Sequence, residues 1–436
     1  MSTETSSDDA ASEGGLAPRR AALDLIRGGL DHRGGLEEAF MRPAFAGLEL
    51  RDRALARMMA MTTLRRMGVI DHLLDQRLRK PPPEGARMLL RLGAAQILYM
   101  DTPAFAAVDT SVRLAEADPK TRPFKALVNA VLRGLTREPP KDDGPDPALL
   151  APPWLLARWV AAYGDEAALA IAAQIAEEPL TDVTPRSTQD TQALATEMEA
   201  EILPGGSLRI SQRGDVTQWP GFIEGRWWVQ DAAAAVPTRL LGVQAGETAL
   251  DMCAAPGGKT LQLAAAGAVV TALDRSAPRL RRVSETLERT GLKAEVIAAP
   301  AEAWSDPRRF DAVLLDAPCT ATGTFRRHPD VLWGSRPGDI AKLAGVQARL
   351  LDAAAERVGP GGRLVYCVCS LEPEEGEAQA EGFGLRHPDF KPWPIAPDEG
   401  GAPEGSITHS GWLRILPHQM MGGCDGFFAA RWRRKA

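Results

Sequence analysis

The sequence contains no long hydrophobic run, since no stretch of about 18 apolar residues is free of charges. Its first residues, MSTETSSDDAASEGG, are acidic and polar, whereas a secretion signal is basic and hydrophobic. We therefore expect neither a membrane span nor a secretion signal, and we expect a cytoplasmic location.

Cysteine is scarce. The 436 residues contain five cysteines, namely Cys253, Cys319, Cys367, Cys369 and Cys424. An odd, small number in a long chain favours reduced thiols over a disulfide framework, so each thiol must be judged by its own surroundings. A free cysteine is usually a small buried apolar side chain, and we interpret Cys253 and Cys424 in that way.

Charge is distributed unevenly along the chain. The net charge is −6, yet residues 16–140 carry 21 Lys and Arg against 14 Asp and Glu. Residues 1–15 carry four acids and no base, which leaves −9 for residues 141–436. A basic N-terminal module fits attraction to a phosphate polyanion, although solvated helix faces explain such a surplus about as well.

The chain is too long for one ordinary hydrophobic core, and its pattern of apolar residues and prolines predicts several regions. Apolar residues three and four apart predict a bundle of five or more helices between Arg19 and Arg137. The proline-rich stretch at 138–153 predicts a linker, and the following residues predict a helix from Trp154 to about Ala176 with strands near 207–210 and 226–229. The predicted regions are a disordered tail (1–15), a helical domain (16–140), a linker (141–153), a mixed connecting subdomain (154–235) and an α/β domain (236–436).

The α/β domain is predicted from apolar strand runs that alternate with helix-like stretches after Glu247, a pattern typical of a mainly parallel sheet. Phe427 and Phe428 are predicted to belong to an edge strand. The predicted strand Thr248–Met252 leads into a turn of small residues, CAAPGGKT (253–260), before a helix. Such a turn lets backbone N–H groups approach a nucleotide-like ligand at the carboxyl end of a strand. The turn is neither GxGxxG nor GxxxxGK[ST], and Asp274 ends the next predicted strand, where an acid would bind ribose hydroxyls.

Four segments in order carry a specific resemblance. DMCAAPGGKT, LDAPCTATGTFRRHPD (315–330), VYCVCS (365–370) and DGFFAARW resemble the Sun/Fmu family of bacterial RNA cytosine-5 methyltransferases. The resemblance implies a Rossmann-like α/β methyltransferase domain that uses S-adenosyl-L-methionine. It also implies cofactor contacts from the turn, from Asp274 at the ribose and from Asp316 beside both cofactor and base. The implied cofactor-binding residues are Cys253, Ala254, Ala255, Pro256, Gly257, Gly258, Lys259, Asp274 and Asp316.

One expected cofactor contact departs from the family pattern. The family usually has an Asp beside the adenine after the third strand, but this chain has Pro300 there. Glu302, two residues further on, is a candidate substitute.

The reaction that the resemblance implies needs a thiol. Carbon 5 of cytosine becomes nucleophilic only after a nucleophile adds at carbon 6, and a thiolate both adds and leaves well. An acid at ring nitrogen 3 and a base for the final elimination are also needed. We expect Cys369, Cys319 and Asp316 to be the catalytic residues.

Two thiols compete for the nucleophile's role. A Pro-Cys dipeptide, as at Cys319, carries it in DNA cytosine-5 methyltransferases, whereas the Cys-Ser after a later strand, as at Cys369, carries it in the RNA family. The RNA-type surroundings favour Cys369, with Cys319 assisting product release. Cys367 is a weaker alternative, predicted to project to the same side of its strand as Cys369. Val368 stands where the family usually has Thr.

The helical region resembles the NusB-like domain through DRALARMMAMTTLRR (52–66), RLGAAQILYM (91–100) and FKALVNAVLRGL (124–135). This implies an all-α NusB-like RNA-binding bundle before the catalytic domain. Arg326, Arg327 and His328 either bind RNA phosphates or cap their loop, with the first interpretation favoured.

We therefore expect a monomeric enzyme that methylates cytosine in ribosomal RNA of the small subunit (16S), without metal or membrane. Two alternatives remain: the same chemistry on transfer RNA, and a non-catalytic NusB-like antitermination factor. Methylation of an exocyclic nitrogen would use an Asn/Asp-Pro-Pro-Tyr type motif, which is absent from the sequence.

Overall fold

The computed structural model describes residues 15–31, 35–140 and 144–436, which form two compact units. The first unit comprises the chain up to Glu177 together with Arg327–Ser335, and the second comprises Glu178–Arg326 and Arg336–Ala436. The division between residues 177 and 178 differs from the one predicted at the proline-rich stretch. The tail predicted to be disordered lies, except for Gly15, outside the described residues.

The first unit is helical, as the periodicity predicts. Its helices are α1 (Leu16–Leu30), α2 (Gly35–Phe40), α3 (Pro43–Ala46), α4 (Leu50–Arg65), α5 (Met67–Asp75), α6 (Glu84–Tyr99), α7 (Ala104–Ala117), α8 (Lys125–Arg137), α9 (Pro153–Tyr163), α10 (Asp165–Ala173) and α15 (Asp330–Gly334). In α1 the buried side chains of Ala22, Leu25 and Ile26 recur three and four apart, which gives the helix one apolar face for the bundle core.

The single helix predicted from Trp154 to Ala176 is two helices. Gly164 separates α9 from α10 with a φ of 84°, in the left-handed region that glycine adopts without steric cost. Asp165 and Glu166 then occupy the first turn of α10, where negative side chains stabilise a helix N-terminus. Both helices belong to the first unit, so they are not part of the mixed subdomain that the sequence predicts.

The second unit begins with a small antiparallel sheet in the order β2-β3-β1-β4. Its elements are β1 (Thr181–Pro185), α11 (Thr191–Glu197), β2 (Glu201–Ile202), β3 (Leu208–Ile210) and β4 (Trp227–Val229). The strands near 207–210 and 226–229 are thus present as predicted.

The main sheet has eight strands, seven of them in the order β10-β12-β9-β8-β5-β6-β7, with β11 paired to β12. The strands are β5 (Thr248–Met252), β6 (Val269–Asp274), β7 (Glu295–Ala298), β8 (Phe310–Asp316), β9 (Val358–Val368), β10 (Phe390–Pro392), β11 (Leu413–Ile415) and β12 (Phe427–Arg434), and the helices are α12 (Ala232–Leu241), α13 (Gly258–Ala265), α14 (Ala277–Thr290), α16 (Pro337–Arg357) and α17 (Glu377–Arg386). Strands β5 to β9 pair in parallel, and β10 to β12 add antiparallel pairs.

The prediction that Phe427 and Phe428 lie in an edge strand is wrong. Strand β12 lies between β9 and β10, with Phe428 opposite Val368. Both faces of β12 are covered, so its run of apolar residues reflects burial on two sides.

The parallel strands determine where the polar residues collect. The carboxyl ends of β5, β6, β8 and β9 share one edge of the sheet, so the residues that follow them are brought together. Within the described residues no helix is long and apolar enough to cross a bilayer.

Candidate active site

The glycine-rich turn after β5 is held against the end of β6. The backbone N–H of Ala255 donates to Asp274 Oδ2 at 3.2 Å, and the N–H of Ser276 donates to Asp274 Oδ1 at 2.8 Å. Gly257 has a φ of 110°, and a Cβ there would lie 3.2 Å from the Val283 side chain. The turn therefore requires glycine at this position for both its backbone conformation and its packing.

Lys259, in the first turn of α13, forms a buried ion pair across the turn. Its Nζ lies 2.7 Å from Asp316 Oδ2 and 5.0 Å from the centre of the Phe427 ring. Burial acts to lower the pKa of Lys259, but Asp316 and the neighbouring cysteines together raise it above its ordinary value. Lys259 thus remains a cation at the end of β8.

A third carboxyl group lies beneath the turn. Asp251 on β5 is fully buried, and Thr260 Oγ1 donates to its Oδ2 at 2.5 Å. Its Oδ1 has no hydrogen-bond partner among residues 15–31, 35–140 and 144–436. Burial raises the pKa of Asp251 to about 7.

These residues fit S-adenosylmethionine. The cofactor carries a sulfonium cation, an ammonium group and two ribose hydroxyls, all of which suit carboxylate partners. Asp251, Asp274 and Asp316 supply three carboxyl groups at the ends of β5, β6 and β8, one of them with an unpartnered buried oxygen among the described residues. Glu302, the candidate for the adenine contact, forms an exposed ion pair with Arg349 at 2.9 Å, and the adenine contact stays a prediction.

The two thiols singled out by the sequence lie side by side. Cys319 follows β8 and Cys369 follows β9, and these strands are parallel neighbours. The two Sγ atoms are 3.5 Å apart. The hydrogen bond to Cys369, reinforced by burial, raises the pKa of the Cys319 thiol well above its ordinary value. The raised pKa favours the protonated form of Cys319, and either sulfur can be the hydrogen-bond donor.

The other cysteines have different surroundings. Cys367 is fully buried with its Sγ 3.5 Å from Asp316 Oδ1, and burial raises its pKa well above the ordinary value. Cys424 is fully buried, as predicted, whereas Cys253, for which the same was predicted, is partly exposed in the turn. Burial raises the pKa of Cys253 to about 12, which makes it inert as a nucleophile at neutral pH.

The basic triplet after Cys319 does not form the exposed phosphate-binding group that was favoured. Arg326 is 3% exposed and donates to the Gly422 carbonyl at 2.5 Å, so it fixes a loop. Burial lowers the pKa of His328 to about 4, so this ring is neutral at pH 7 and adds no positive charge. Arg327 remains half-buried.

Sequence reasoning missed Glu375. This residue lies in the acidic stretch SLEPEEGE, whose composition predicts solvated surface charge, yet its side chain is fully buried. It accepts hydrogen bonds from Thr320 and Ser370, which directly follow the two cysteines. No spacing in the sequence indicated this contact.

The sheet order, the turn and the carboxyl groups define a methyltransferase of the S-adenosylmethionine-dependent class. Residues 238–433 match the family model described as 16S rRNA methyltransferase RsmB/F, and residues 17–137 match the NusB family. The ribosomal RNA small subunit methyltransferase B of Cronobacter sakazakii is 35% identical over 88% of this chain and 91% of its own length. The protein of the same name from Xanthomonas campestris pv. campestris is 36% identical over 95% of this chain and 97% of its own. The chain therefore belongs to the RsmB/F family of RNA cytosine-5 methyltransferases, with an N-terminal NusB domain.

Solved structures agree with this assignment. The crystal structure of PH0851 covers 96% of this chain and 99% of its own, with a TM-score of 0.76 and 25% identity. A methyltransferase homolog from Pyrococcus horikoshii is 28% identical, with a TM-score of 0.54, over 64% of this chain and 93% of its own. The predicted fold class and cofactor are thus confirmed.

Proposed function

We propose that this chain methylates carbon 5 of a cytosine in small-subunit ribosomal RNA through a covalent intermediate on Cys369. The observation that carries the proposal is the 3.5 Å separation of the Cys319 and Cys369 sulfurs at the ends of adjacent parallel strands. Methylation at an exocyclic nitrogen needs no thiol, whereas addition to carbon 6 needs one to add and a second group to take a proton.

Cys369 is the nucleophile in this proposal. Its sulfur forms a bond to carbon 6, which moves an electron pair into the ring and makes carbon 5 nucleophilic. S-Adenosylmethionine supplies the methyl group at carbon 5 when it is bound. Cys369 is partly exposed, as a thiol that meets an RNA base must be.

Cys319 takes the proton from carbon 5. The contact with Cys369 is the first cause of its raised pKa, so the use of the Cys369 sulfur in the bond to carbon 6 removes that cause and lowers the pKa of Cys319. Cys319 then gives its own proton to solvent more easily, so it can act as a thiolate base at the stage when the carbon 5 proton must be removed. Loss of the carbon 5 proton returns electrons to the ring, breaks the bond to carbon 6 and releases Cys369 as a thiolate.

Asp316 and Lys259 act as a polar pair beside the ring. We propose that Asp316 gives a proton to ring nitrogen 3 as the thiol adds at carbon 6, and that Lys259, 2.7 Å away, stabilises the carboxylate that this leaves. The turn from Cys253 to Lys259 holds the methionine and ribose of the cofactor, and Asp274 holds the ribose hydroxyls.

The N-terminal NusB domain supplies RNA binding. Its surplus of seven positive charges over residues 16–140 attracts phosphates. A base inside folded RNA must leave its stack to reach the thiols, which costs a few kcal/mol that backbone contacts elsewhere offset. The enzyme acts as a monomer without a metal, and its curated relatives are named for the small-subunit RNA, which favours ribosomal over transfer RNA.

The test is incubation with labelled S-adenosylmethionine and unmodified 16S ribosomal RNA, followed by bisulfite sequencing. We expect at least one cytosine protected from conversion, at a position that stays unprotected with the Cys369→Ala variant. Transfer RNA serves as the competing substrate in a parallel reaction. Protection in transfer RNA alone would contradict the substrate assignment, and no protected cytosine in either RNA would favour a non-catalytic RNA-binding factor.

A further inference from the structure

Glu375 connects the two loops that carry the thiols. Its Oε1 accepts from the backbone N–H of Thr320 at 2.9 Å, and its Oε2 accepts from the Ser370 hydroxyl at 2.5 Å. The Thr320 hydroxyl also donates to Oε2. Thr320 directly follows Cys319 and Ser370 directly follows Cys369, so one carboxyl group holds the residue next to each sulfur.

The carboxyl group is itself fixed from two further elements. Gln347 on α16 donates through Nε2 to Glu375 Oε1 at 3.1 Å and to the Pro318 carbonyl at 2.9 Å. The Tyr366 hydroxyl on β9 donates to the Glu375 backbone carbonyl at 2.5 Å. Glu375 is thus braced by the helix and by the strand that leads to Cys369, while it holds the loop of Cys319.

The contacts require a carboxylate. Every side-chain contact of Glu375 given above is one in which it accepts, from Thr320, Ser370 and Gln347, and an amide oxygen with an adjacent NH2 group cannot accept at both positions. Burial raises the pKa of Glu375, and the hydrogen bonds from Ser370 and Thr320 oppose that shift. Burial of a carboxyl group costs free energy unless hydrogen bonds satisfy its oxygens, and here donors reach both oxygens.

We propose that Glu375 is the positioning residue that sets the separation of Cys319 and Cys369 by holding both of their loops. The proposal rests on the proposed function of the two thiols, but the contacts it invokes exist without substrate or cofactor. Glu375 acts through Thr320 and Ser370, and it touches neither reacting atom.

Glu375 also affects the Cys319 thiol electrostatically. Its charge is among the causes that raise the pKa of Cys319, after the contact with Cys369 and burial. Other titratable or charged groups near these loops are Tyr366, Cys367, Glu372, the Lys259–Asp316 ion pair and the Arg414–Glu377 ion pair, of which Arg414 donates to the Ser370 carbonyl. Removal of the Glu375 charge therefore lowers the pH at which Cys319 loses its proton.

The test measures alkylation of Cys319 in the free protein against pH, with the modified peptide identified by mass. The variants are Glu375→Gln, which replaces an acceptor with a donor, and Glu375→Asp, which keeps the charge. Glu399→Gln is the matched control, because Glu399 is a carboxylate of the same unit that is ion-paired to the buried Arg431. Thr320→Val is a second probe that removes one hydroxyl donor and leaves Glu375 in place.

We expect Glu375→Gln to shift the alkylation profile of Cys319 to lower pH by at least half a unit, with Glu375→Asp nearer to wild type and Glu399→Gln unchanged. In methylation assays Glu375→Gln should lower kcat at least tenfold while KM for the cofactor changes less than threefold. Thr320→Val keeps the Glu375 charge, so it should lower kcat by less while the alkylation profile of Cys319 stays near that of wild type, and its kcat decides the matter if Glu375→Gln does not fold. A wild-type alkylation profile in Glu375→Gln, or an equal shift in Glu399→Gln, would overturn the proposal. Because alkylation needs no RNA, it tests Glu375 even if wild-type protein methylates nothing.

Discussion

The Cys319 and Cys369 sulfurs lie 3.5 Å apart, close enough for a hydrogen bond in which either sulfur can be the donor. The hydrogen bond to Cys369 and burial raise the pKa of the Cys319 thiol well above its ordinary value. In the proposed function Cys369 is the nucleophile and Cys319 is the proton acceptor after methylation.

Removal of each thiol should therefore give a different defect in the methylation reaction. We expect Cys369→Ala to lose methylation entirely, because no bond to carbon 6 forms. Cys319→Ala should still form that bond but release it slowly, so a covalent protein–RNA adduct should appear on denaturing gels. Cys424→Ala, which removes a fully buried thiol elsewhere, is the control and should give neither effect. An adduct in Cys369→Ala instead would reverse the roles.

Asp251 should give the unfolding free energy a distinctive pH dependence in the cofactor-free protein. Burial raises its pKa from 3.8 to about 7. The neutral Asp251 carboxyl group therefore makes its full contribution to the free energy of unfolding below pH 3.8, and this contribution is lost as pH rises to about 7. The loss amounts to about 4 kcal/mol. We expect the stability of Asp251→Asn relative to wild type to rise over this window, as measured by urea unfolding.

Asp311→Asn is the control of opposite sign. Hydrogen bonds from Thr248 hold the pKa of Asp311 below its ordinary value, so its contribution is present above that value and lost as pH falls. Wild type should therefore lose its advantage over Asp311→Asn toward acid. Parallel curves for Asp251→Asn and wild type would contradict the description of Asp251.

Gly257 should be intolerant of a side chain. A φ of 110° is accessible to glycine alone without strain, and a Cβ would approach Val283 at 3.2 Å. We expect Gly257→Ala to cost about 1–3 kcal/mol of stability and to weaken S-adenosylmethionine binding at least tenfold by calorimetry. Gly338→Ala, where a Cβ meets open space, should change neither. Normal cofactor binding by Gly257→Ala would mean that the turn does not hold the cofactor.

Alanine substitutions of Arg326 and Arg327 should distinguish a structural role from a role in RNA binding. Arg326 is buried and bonded to the Gly422 carbonyl, so Arg326→Ala should cost about 2 kcal/mol of stability and leave the salt dependence of RNA affinity unchanged. Arg327→Ala should cost little stability, and any phosphate contact it makes would lower the salt slope by about one. If Arg326→Ala instead lowered the salt slope of RNA affinity without a loss of stability, Arg326 would be a phosphate contact.

Much of the site was predictable because its residues follow strands. The turn after β5, Asp274 after β6, Cys319 after β8 and Cys369 after β9 meet at one edge because parallel strands bring their carboxyl ends together. The family resemblance predicts that Cys369 is the nucleophile and that Cys319 assists, whereas chemistry alone required only a thiol and a base.

The remaining features depend on contacts that local pattern does not encode. The sequence around Glu375 predicts surface charge, but donors from other elements reach its carboxyl group. Arg326 is likewise expected to be exposed, but it donates to the Gly422 carbonyl. The aromatic start of β12 suits an edge or an interior strand equally, and only pairing with β9 and β10 distinguishes them. The break at Gly164 was missed because an isolated glycine is tolerated within a helical pattern.

The most direct test of the covalent mechanism uses 16S ribosomal RNA that contains 5-fluorocytidine, with S-adenosylmethionine present. Fluorine at carbon 5 blocks proton removal, so the bond between enzyme and carbon 6 cannot be released. After digestion, peptide mass spectrometry should find the methylated nucleotide attached to Cys369, with Cys319 unmodified. Attachment at Cys319, or the absence of any stable adduct under conditions where ordinary RNA is methylated, would contradict the account.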